Sequence, residues 1–259
     1  MRICDIDIST VRKWQNELIS HENGYAPTYL KTVHNQLSAI FNFAVKYYKL
    51  PSNPASACGS MGKKKAESMQ FWTKEEFDSF IKCVSDKPLS KVVFHLFFYS
   101  GMREGELLAL TLNDFDFDNN TVSITKNYAR LGYEEIIQAP KTPKSKRTIT
   151  LPAEIMEMVK EYSSMIYDYK PTDRLFLTSK QSLTREMIRG CTASGVKRIR
   201  IHDLRHSHAS LLIELGFAPL LISERLGHEN IETTLNTYSH LYPNKHGEVA
   251  EILSKLIQN

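Results

Sequence analysis

The sequence is poor in cysteine and has no long apolar run. Its 259 residues include four cysteines, and no two of them form a CxxC pair: Cys4, Cys58, Cys83 and Cys191. This spacing argues against a disulfide framework or a zinc knuckle and is typical of reduced thiols in a cytoplasmic protein. The longest apolar runs are too short to span a bilayer, and no charged segment followed by an apolar one opens the chain. We therefore expect neither a membrane span nor a signal peptide.

The net charge is small, at +4, but it is unevenly distributed. Residues 1–68 carry nine Lys and Arg against five Asp and Glu, whereas residues 69–259 carry 24 of each sign. A basic leading segment on a neutral body is a modest indication of a polyanionic partner, although a small basic excess is usually just solvated surface. The length and the 42% hydrophobic content fit a globular protein with one large domain or two ordinary ones.

Residues 1–62 are predicted to form a helical unit with two amphipathic helices. Ser9 can cap the first, which runs to about Ser20, and Pro27 opens the second, which runs to about Lys49. Two such helices bury little surface between them, so we expect this unit to lack its N-terminal start or to rest on a partner such as DNA. The predicted buried stripe of the second helix comprises Leu30, Val33, Leu37, Ile40, Phe41, Ala44 and Tyr48.

The opposite side of the second helix carries groups suited to phosphates and base edges, although an ordinary hydrated face explains them equally well. They are Lys31, Thr32, Asn35, Gln36 and Lys46. Residues 63–69 are predicted to be a flexible basic linker whose lysine triplet, Lys63, Lys64 and Lys65, suits a phosphate backbone. We place a domain boundary at this linker.

The part of the chain after residue 70 begins with a capping box, Thr73 and Glu76, and continues into a very apolar helix. Arg103 follows that helix, three residues before Glu106, and it is either a structural partner of Glu106 or part of a site. Strands are predicted at 115–117, 121–124, 135–138 and 147–151, and the last two flank a basic loop. The basic side chains of the loop are Lys141, Lys144, Lys146 and Arg147. Lysines in such loops are usually solvated, and Lys144 is a candidate DNA-binding residue.

Three short helices near the C-terminus carry a cation, two imidazoles and a phenol: Arg205, His202, His228 and Tyr238. Tight turns between these helices can bring the four groups into one cleft suited to chemistry on an anion. One alternative is a helical core with incidental polar residues. Another is zinc, because His202 and His206 have the spacing of the HExxH motif, although Arg205 would place a fixed positive charge beside the metal.

Four segments together resemble the tyrosine recombinases, or phage-type integrases. SGMREGELLAL resembles their first arginine box, PKTPKSKRTITLP their β-hairpin with a lysine, IHDLRHSHAS their HxxR box, and LGHENIETTLNTYSH their last box with its tyrosine. The resemblance covers residues 70–259 as an α+β catalytic domain and, more loosely, residues 1–62 as the end of a helical core-binding domain. The implied fold is mainly α with a small antiparallel β-sheet. Integrases of conjugative transposons and phages of Gram-positive bacteria are most similar, and these commonly carry a further arm-binding domain.

The resemblance implies a metal-free reaction without cofactors, in which Tyr238 attacks a DNA phosphodiester and forms a 3′-phosphotyrosine. Arg103 and Arg205 would hold the nonbridging oxygens, and His228 would hydrogen-bond one of them. His202 would accept the phenolic proton, and Lys141 would protonate the departing 5′-oxygen. Glu106 would orient the arginines and histidines. His206 and His208 match no required role and are expected to be packing or surface groups.

The implied partners are double-stranded attachment sites and three further copies of the chain, with excision or DNA-bending proteins as additional candidates. Residues 244–257 are predicted to form a docking helix, whose amphipathic part, 246–257, would contact a neighbouring subunit. The implied location is the bacterial cytoplasm, at the nucleoid. A type IB topoisomerase and a DNA-binding regulator with an inactive catalytic domain are the remaining alternatives.

Overall fold

The computed structural model describes residues 1–22, 24–63, 69–132, 134–140, 142–242 and 254. The chain divides into two compact units, Met1–Met69 and Gln70–Asn259. Among the described residues, every helix is too short or too polar to cross a membrane.

The first unit is built from α1 (Ile8–Ile19), α2 (Pro27–Tyr48) and α3 (Pro54–Cys58). Asp7, rather than the predicted Ser9, caps α1, since its carboxylate accepts a hydrogen bond from the backbone N–H of Thr10 at 2.7 Å. A small core unites the three helices, with these buried members: Val11, Phe41, Ala55 and Cys58.

The predicted stripe of α2 is wrong at two positions. Ile40 and Tyr48 are 57% and 74% exposed, whereas His34 is buried. His34 can be buried because its Nδ1 lies 3.2 Å from the side-chain nitrogen of Gln15 on α1, and this contact satisfies both polar groups. A tertiary hydrogen bond therefore decides the buried face, and apolar periodicity does not report it.

The second unit contains eight helices within its described residues, and a small amount of antiparallel strand. The helices are α4 (Lys74–Lys82), α5 (Pro88–Ser100), α6 (Glu104–Leu108), α7 (Ala153–Ser164), α8 (Lys180–Ser194), α9 (Asp203–Glu214), α10 (Pro219–Leu226) and α11 (Ile231–Tyr238). The predicted capping box of Thr73 and Glu76 at the start of α4 is confirmed. The predicted fold class, mainly α with a small antiparallel sheet, is also confirmed.

The strands form two separate sheets. The strands β1 (Phe115–Asp116), β2 (Thr121–Ile124) and β5 (Arg147–Thr150) make a three-stranded antiparallel sheet in the order β1-β2-β5. The strands β3 (Asn127–Leu131) and β4 (Glu134–Gln138) make a hairpin of their own. Sequence analysis missed β3, and it did not separate the two strands that flank the basic loop, which belong to different sheets.

Helix α5 lies at the centre of the second unit. It is apolar on nearly every side, and an all-round apolar helix must be surrounded by other elements. The ring of Phe98 stacks on Phe77 of α4 with centroids 4.0 Å apart, and Val93, Phe94 and Leu96 are fully buried. The C-terminus of α5 is consequently held against a rigid core, and Arg103 lies three residues after this end.

We expect Gly190→Ala in α8 to destabilise the protein. A Cβ at this position would lie 2.3 Å and 2.7 Å from ring atoms of Phe80 and 2.7 Å from Val84. Alanine favours helix by about 1 kcal/mol over glycine, so a loss of stability can come only from this overlap. The midpoint of urea unfolding measures it. The exposed Thr192→Ala in the same helix is the control and should be neutral or slightly stabilising. An equal gain in both variants would contradict the close packing.

Candidate active site

Arg205 is buried between the C-terminal ends of two helices. Its guanidinium donates to the carbonyl oxygen of Gly101, after α5, at 2.8 Å and to that of Leu226, at the end of α10, at 2.6 Å. Gly101 and Gly227 both have positive φ, +64° and +67°, so each helix can end abruptly there. Helix C-termini carry partial negative charge, so they stabilise the cation without neutralising it.

The pKa of Arg205 is lowered to about 9 by burial and by the nearby charges of Arg103 and Arg147. The group is therefore charged at neutral pH. Within the described residues Arg205 donates its hydrogen bonds to backbone carbonyls, and the residue is 3% exposed. A concentrated positive charge of this kind favours an anion.

Arg103 stands at the start of α6 and reaches toward solvent. Its guanidinium donates to Oε1 of Glu106 at 2.7 Å and to the carbonyl oxygen of Gly227 at 3.3 Å. The side chain retains 36% exposure and lines a cavity of about 780 Å³ together with His202. Both structural pairing with Glu106 and access to a ligand are therefore available to Arg103 at once.

Arg147 is a central residue of this site that sequence analysis assigned to a solvated loop. Its side chain is 6% exposed and donates to both carboxylate oxygens of Glu106, at 3.1 Å and 2.8 Å. It also donates to the carbonyl oxygen of Arg225 at 2.8 Å. The alternation of β5 was the available signal, because Arg147 lies two residues before the buried Ile149 and so shares its face.

Glu106 is 3% exposed and joins Arg103 to Arg147. Burial by itself raises the pKa of a carboxyl group, but hydrogen bonds and charges of Arg147 and Arg103 leave the pKa of Glu106 below its ordinary value of 4.5. The carboxylate is therefore ionised at neutral pH and orients two guanidiniums.

The imidazole of His228 lies next to the end of α10. Its Nδ1 lies 2.7 Å from the hydroxyl of Thr234, and burial together with Arg205 and Arg103 lowers its pKa to about 3. His202 lines the cavity and keeps part of its surface open to solvent, while partial desolvation of its ring and the charge of Arg205 lower its pKa. Both rings are thus neutral near the same two guanidiniums.

Tyr238, at the end of α11, is 1% exposed, and its hydroxyl lies 2.7 Å from Nδ1 of His206. Burial raises its pKa to about 12, and the charge of Arg205 partly opposes this effect. His206, which was expected to be a packing or surface group, therefore contacts the hydroxyl of the predicted nucleophile. The sequence gives the position of His206, four residues after His202, but it does not indicate which neighbouring element packs against it. His208 does pack inside, where its Nδ1 contacts the carbonyl of Phe98 at 2.8 Å.

The other predicted site residues are dispersed or lie outside the described residues. Lys141 lies outside them, as do Lys64, Lys65 and all of the predicted docking helix except Ser254. Lys144 donates to the carbonyl of Glu229 at 2.9 Å. In the first unit, Asn35 and Lys46 are exposed on α2, whereas Lys31 donates to the hydroxyl of Ser60 at 2.5 Å, and the backbone N–H of Lys63 donates to Pro27.

The predicted zinc alternative requires a third ligand beside His202 and His206. Their rings are 5.5 Å apart and nearly perpendicular, and Nδ1 of His206 is engaged by Tyr238. In the described part of the chain, no three His, Cys, Asp or Glu side chains converge on a possible metal position. The geometry thus gives the zinc interpretation no support.

The phage integrase family model matches residues 70–245. The ICEBs1 integrase of Bacillus subtilis is 31% identical over 254 residues, which cover 91% of this chain and 68% of that protein. The chain belongs to the phage integrase family. Among other family members, transposase A from transposon Tn554 of Staphylococcus aureus is 32% identical over 163 residues, covering 58% of this chain and 43% of that protein.

The fold of this integrase-family chain is also that of solved tyrosine recombinases. The Tn1549 transposon integrase in complex with transposon right end DNA matches with a TM-score of 0.78 at 18% identity, covering all of this chain and 88% of that one. XerH recombinase bound to difH substrate before cleavage matches with a TM-score of 0.66 at 20% identity, covering 97% of this chain and 71% of that one.

We expect Arg147→Met to lower the free energy of unfolding by about 3–5 kcal/mol, because it leaves the buried Glu106 with one partner fewer. Urea unfolding measures the change. The control is Lys74→Met, which breaks an ion pair with Asp78 whose two side chains are 39% and 44% exposed, and this should cost about 0–1 kcal/mol. Similar losses in the two variants would contradict the role given to Arg147.

The pKa of Glu106 also predicts a dependence of stability on pH. Because its folded-state pKa lies below 4.5, the unfolded chain takes up the proton first as pH falls. The contribution of Glu106 is fully present above the ordinary pKa and is lost as pH falls through it toward the folded-state value. The unfolding free energy should therefore decline less steeply on acidification in Glu106→Gln than in wild type. Parallel curves from urea unfolding at a series of pH values would count against the proposed pairing.

Proposed function

We propose that this phage integrase family member is a site-specific DNA recombinase that integrates and excises a mobile element. The observation that carries the proposal is the meeting of two guanidiniums, Arg103 and Arg205, with neutral His202 and His228 and with the phenol of Tyr238. Its substrate is double-stranded DNA. In support, the Tn1549 integrase was solved in complex with transposon right end DNA, and XerH was solved bound to its difH substrate.

The two arginines bind the nonbridging oxygens of the scissile phosphodiester. Negative charge on the nonbridging oxygens increases as a fifth oxygen bonds to phosphorus. Fixed guanidiniums therefore stabilise the transition state more than the bound substrate. Glu106 and Arg147 hold Arg103, and two helix ends hold Arg205, so neither cation must be ordered during the reaction. His202 and His228 hydrogen-bond the same phosphate.

Tyr238 is the nucleophile and becomes a 3′-phosphotyrosine. The new ester keeps the energy of the phosphodiester, so a 5′-hydroxyl from another strand can reverse the step without a nucleotide triphosphate. Lys141 protonates the departing 5′-oxygen. The loop that contains Lys141 is tied on its described side to the last box, because Lys144 donates to Glu229.

The first unit adds DNA contacts that are independent of the chemistry. Lys31, Asn35 and Lys46 lie on the polar side of α2, and the lysines 63–65 follow at the boundary, where phosphate contacts add affinity without sequence information. The domains are a helical core-type DNA-binding domain, 1–62, a linker, 63–69, and a catalytic domain, 70–259.

Recombination takes place in a tetramer on two duplexes at the bacterial nucleoid, with the segment 246–257 docking on a neighbour and with excision or DNA-bending proteins as accessory partners. Exposed apolar side chains on the second unit support such docking: Leu215, Phe217, Leu220 and Leu221 are 64%, 43%, 57% and 46% exposed. Exposed apolar groups gathered at one turn between helices favour a protein contact.

The test uses a library of nicked random-sequence duplexes as suicide substrates. We expect the full chain to form an SDS-resistant protein–DNA adduct, and sequencing of the captured DNA to give the crossover site. Tyr238→Phe should give no adduct, and Arg103→Ala should lower its rate by roughly 10³-fold. The exposed Tyr167→Phe is the matched control and should behave as wild type.

Three outcomes would contradict the proposal. An adduct that persists in Tyr238→Phe would assign the nucleophile elsewhere. Cleavage abolished by EDTA would revive metal chemistry. Relaxation of supercoiled DNA without strand exchange between paired captured sites would favour a type IB topoisomerase.

A further inference from the structure

We propose that His206 is a catalytic residue of this reaction, which holds the hydroxyl of Tyr238 and takes its proton as the phenol attacks phosphorus. The inference rests on the proposed function. It gives a role to a side chain that the HxxR box does not include, and it moves the proton from His202 to the histidine one helical turn later.

The first support is the contact itself. Nδ1 of His206 and the hydroxyl of Tyr238 are 2.7 Å apart, within the distance that a general base requires. A phenol donates its proton in such a bond, so the imidazole accepts it at Nδ1. Tyr238 is almost fully buried, so its hydroxyl has lost its hydrogen bonds to water. The contact with His206 replaces them.

The second support is the different placement of the two histidines. His202 is exposed and lines the 780 Å³ cavity with Arg103, on the side open to a ligand. Among the described residues, the hydroxyl of Tyr238 finds its hydrogen-bond partner in His206. The ring centroids are 5.5 Å apart and the rings are nearly perpendicular. His202 lines the open cavity, whereas His206 contacts the predicted nucleophile.

The third support is the electrostatic setting of His206. Burial and the neighbouring His202 lower its pKa to about 4, so it is a neutral acceptor at pH 7, while the charge of Asp203 acts in the opposite direction. A phosphodiester between the arginines adds negative charge beside the ring, which favours the imidazolium. Asp203, three residues earlier on α9, would then stabilise the cation that forms.

The proposed cleavage step transfers one phosphoryl group and two protons. The O–H bond of Tyr238 and the bond from phosphorus to the 5′-oxygen break, while the bond from the phenolic oxygen to phosphorus forms. The proton of Tyr238 goes to Nδ1 of His206, and the 5′-oxygen takes a different proton from Lys141. In the rejoining step the 5′-hydroxyl attacks phosphorus and gives its proton to the neutral Lys141. The bond from phosphorus to the phenolic oxygen breaks, and His206 returns its proton to that oxygen of Tyr238.

A purely structural role predicts something different, because a buried hydroxyl also needs a partner for folding. His206→Asn separates the two roles, since its amide oxygen can accept the hydrogen bond near the position of Nδ1 but cannot take up a proton. His206→Leu removes both functions. His240→Asn is the control, because His240 is exposed beyond Tyr238 and has no assigned role.

The experiment measures single-turnover adduct formation by the full chain on a captured nicked duplex, and on the same duplex with sulfur as the bridging 5′ atom. The expected result is a loss of roughly 10²–10⁴-fold in both His206 variants with DNA binding retained, and no loss in the control. The loss should persist with sulfur, because a thiolate leaves without protonation.

Two results would overturn the inference while leaving the proposed function intact. One is an adduct rate in His206→Asn within about threefold of wild type, far below the effect of a general base. The other is recovery of both variants on the sulfur substrate, which would make His206 the acid. If wild type forms no adduct at all, the proposed function fails and the inference fails with it.

The hydrogen bond between His206 and Tyr238 can also be measured directly by NMR, without a variant of His206 that has to fold. In the ¹⁵N spectrum of histidine-labelled protein, Tyr238→Phe should shift one Nδ1 resonance toward that of a free acceptor. An unchanged histidine spectrum would overturn the contact from which the inference starts.

Discussion

The buried carboxylate of Glu106 is the interaction on which the site depends. It binds Arg103 at the start of α6 and Arg147 at the start of β5, and Arg147 continues to the carbonyl of Arg225 near the end of α10. One negative charge thus joins the first arginine box to the β-hairpin, and Arg147 extends the connection to the end of α10. Because that charge is shared by two guanidiniums, and Arg205 adds a third cation nearby, the centre keeps an excess of positive charge. Under the proposed function, a phosphodiester supplies the negative charge that balances this excess.

Local sequence signals predicted much of this unit. The capping box at Thr73 depends on neighbouring residues and agrees with the structure. The three short helices predicted near the C-terminus are present too, and the second begins at Pro219 and ends before Gly227. The family boxes also named Arg103, Arg205, His228 and Tyr238, and the structure brings these residues near one another.

Long-range contacts account for what the sequence did not reveal. Arg147 was predicted to lie in a loop because nothing near it in sequence indicates its partner, Glu106. No role was predicted for His206 because α11, which carries its partner Tyr238, is distant in sequence. The burial of His34 depends in the same way on Gln15. The hairpin of β3 and β4 was missed for a different reason. The last residues of β3 are exposed, and the strand shows little apolar alternation.

The position of Arg205 has a consequence for how variants of this protein are interpreted. The same guanidinium that is proposed to bind the phosphate also joins the end of α5 to the end of α10. Lysine, with one ammonium group, cannot reach both carbonyls and a phosphate oxygen in the same planar arrangement. An inactive protein altered at Arg205 therefore reports on architecture and chemistry together, whereas Arg103, which keeps a third of its surface open, reports on chemistry more cleanly. Under the proposed function, the side chain at position 205 therefore has to meet two requirements, one from the packing of two helix ends and one from the binding of the phosphate.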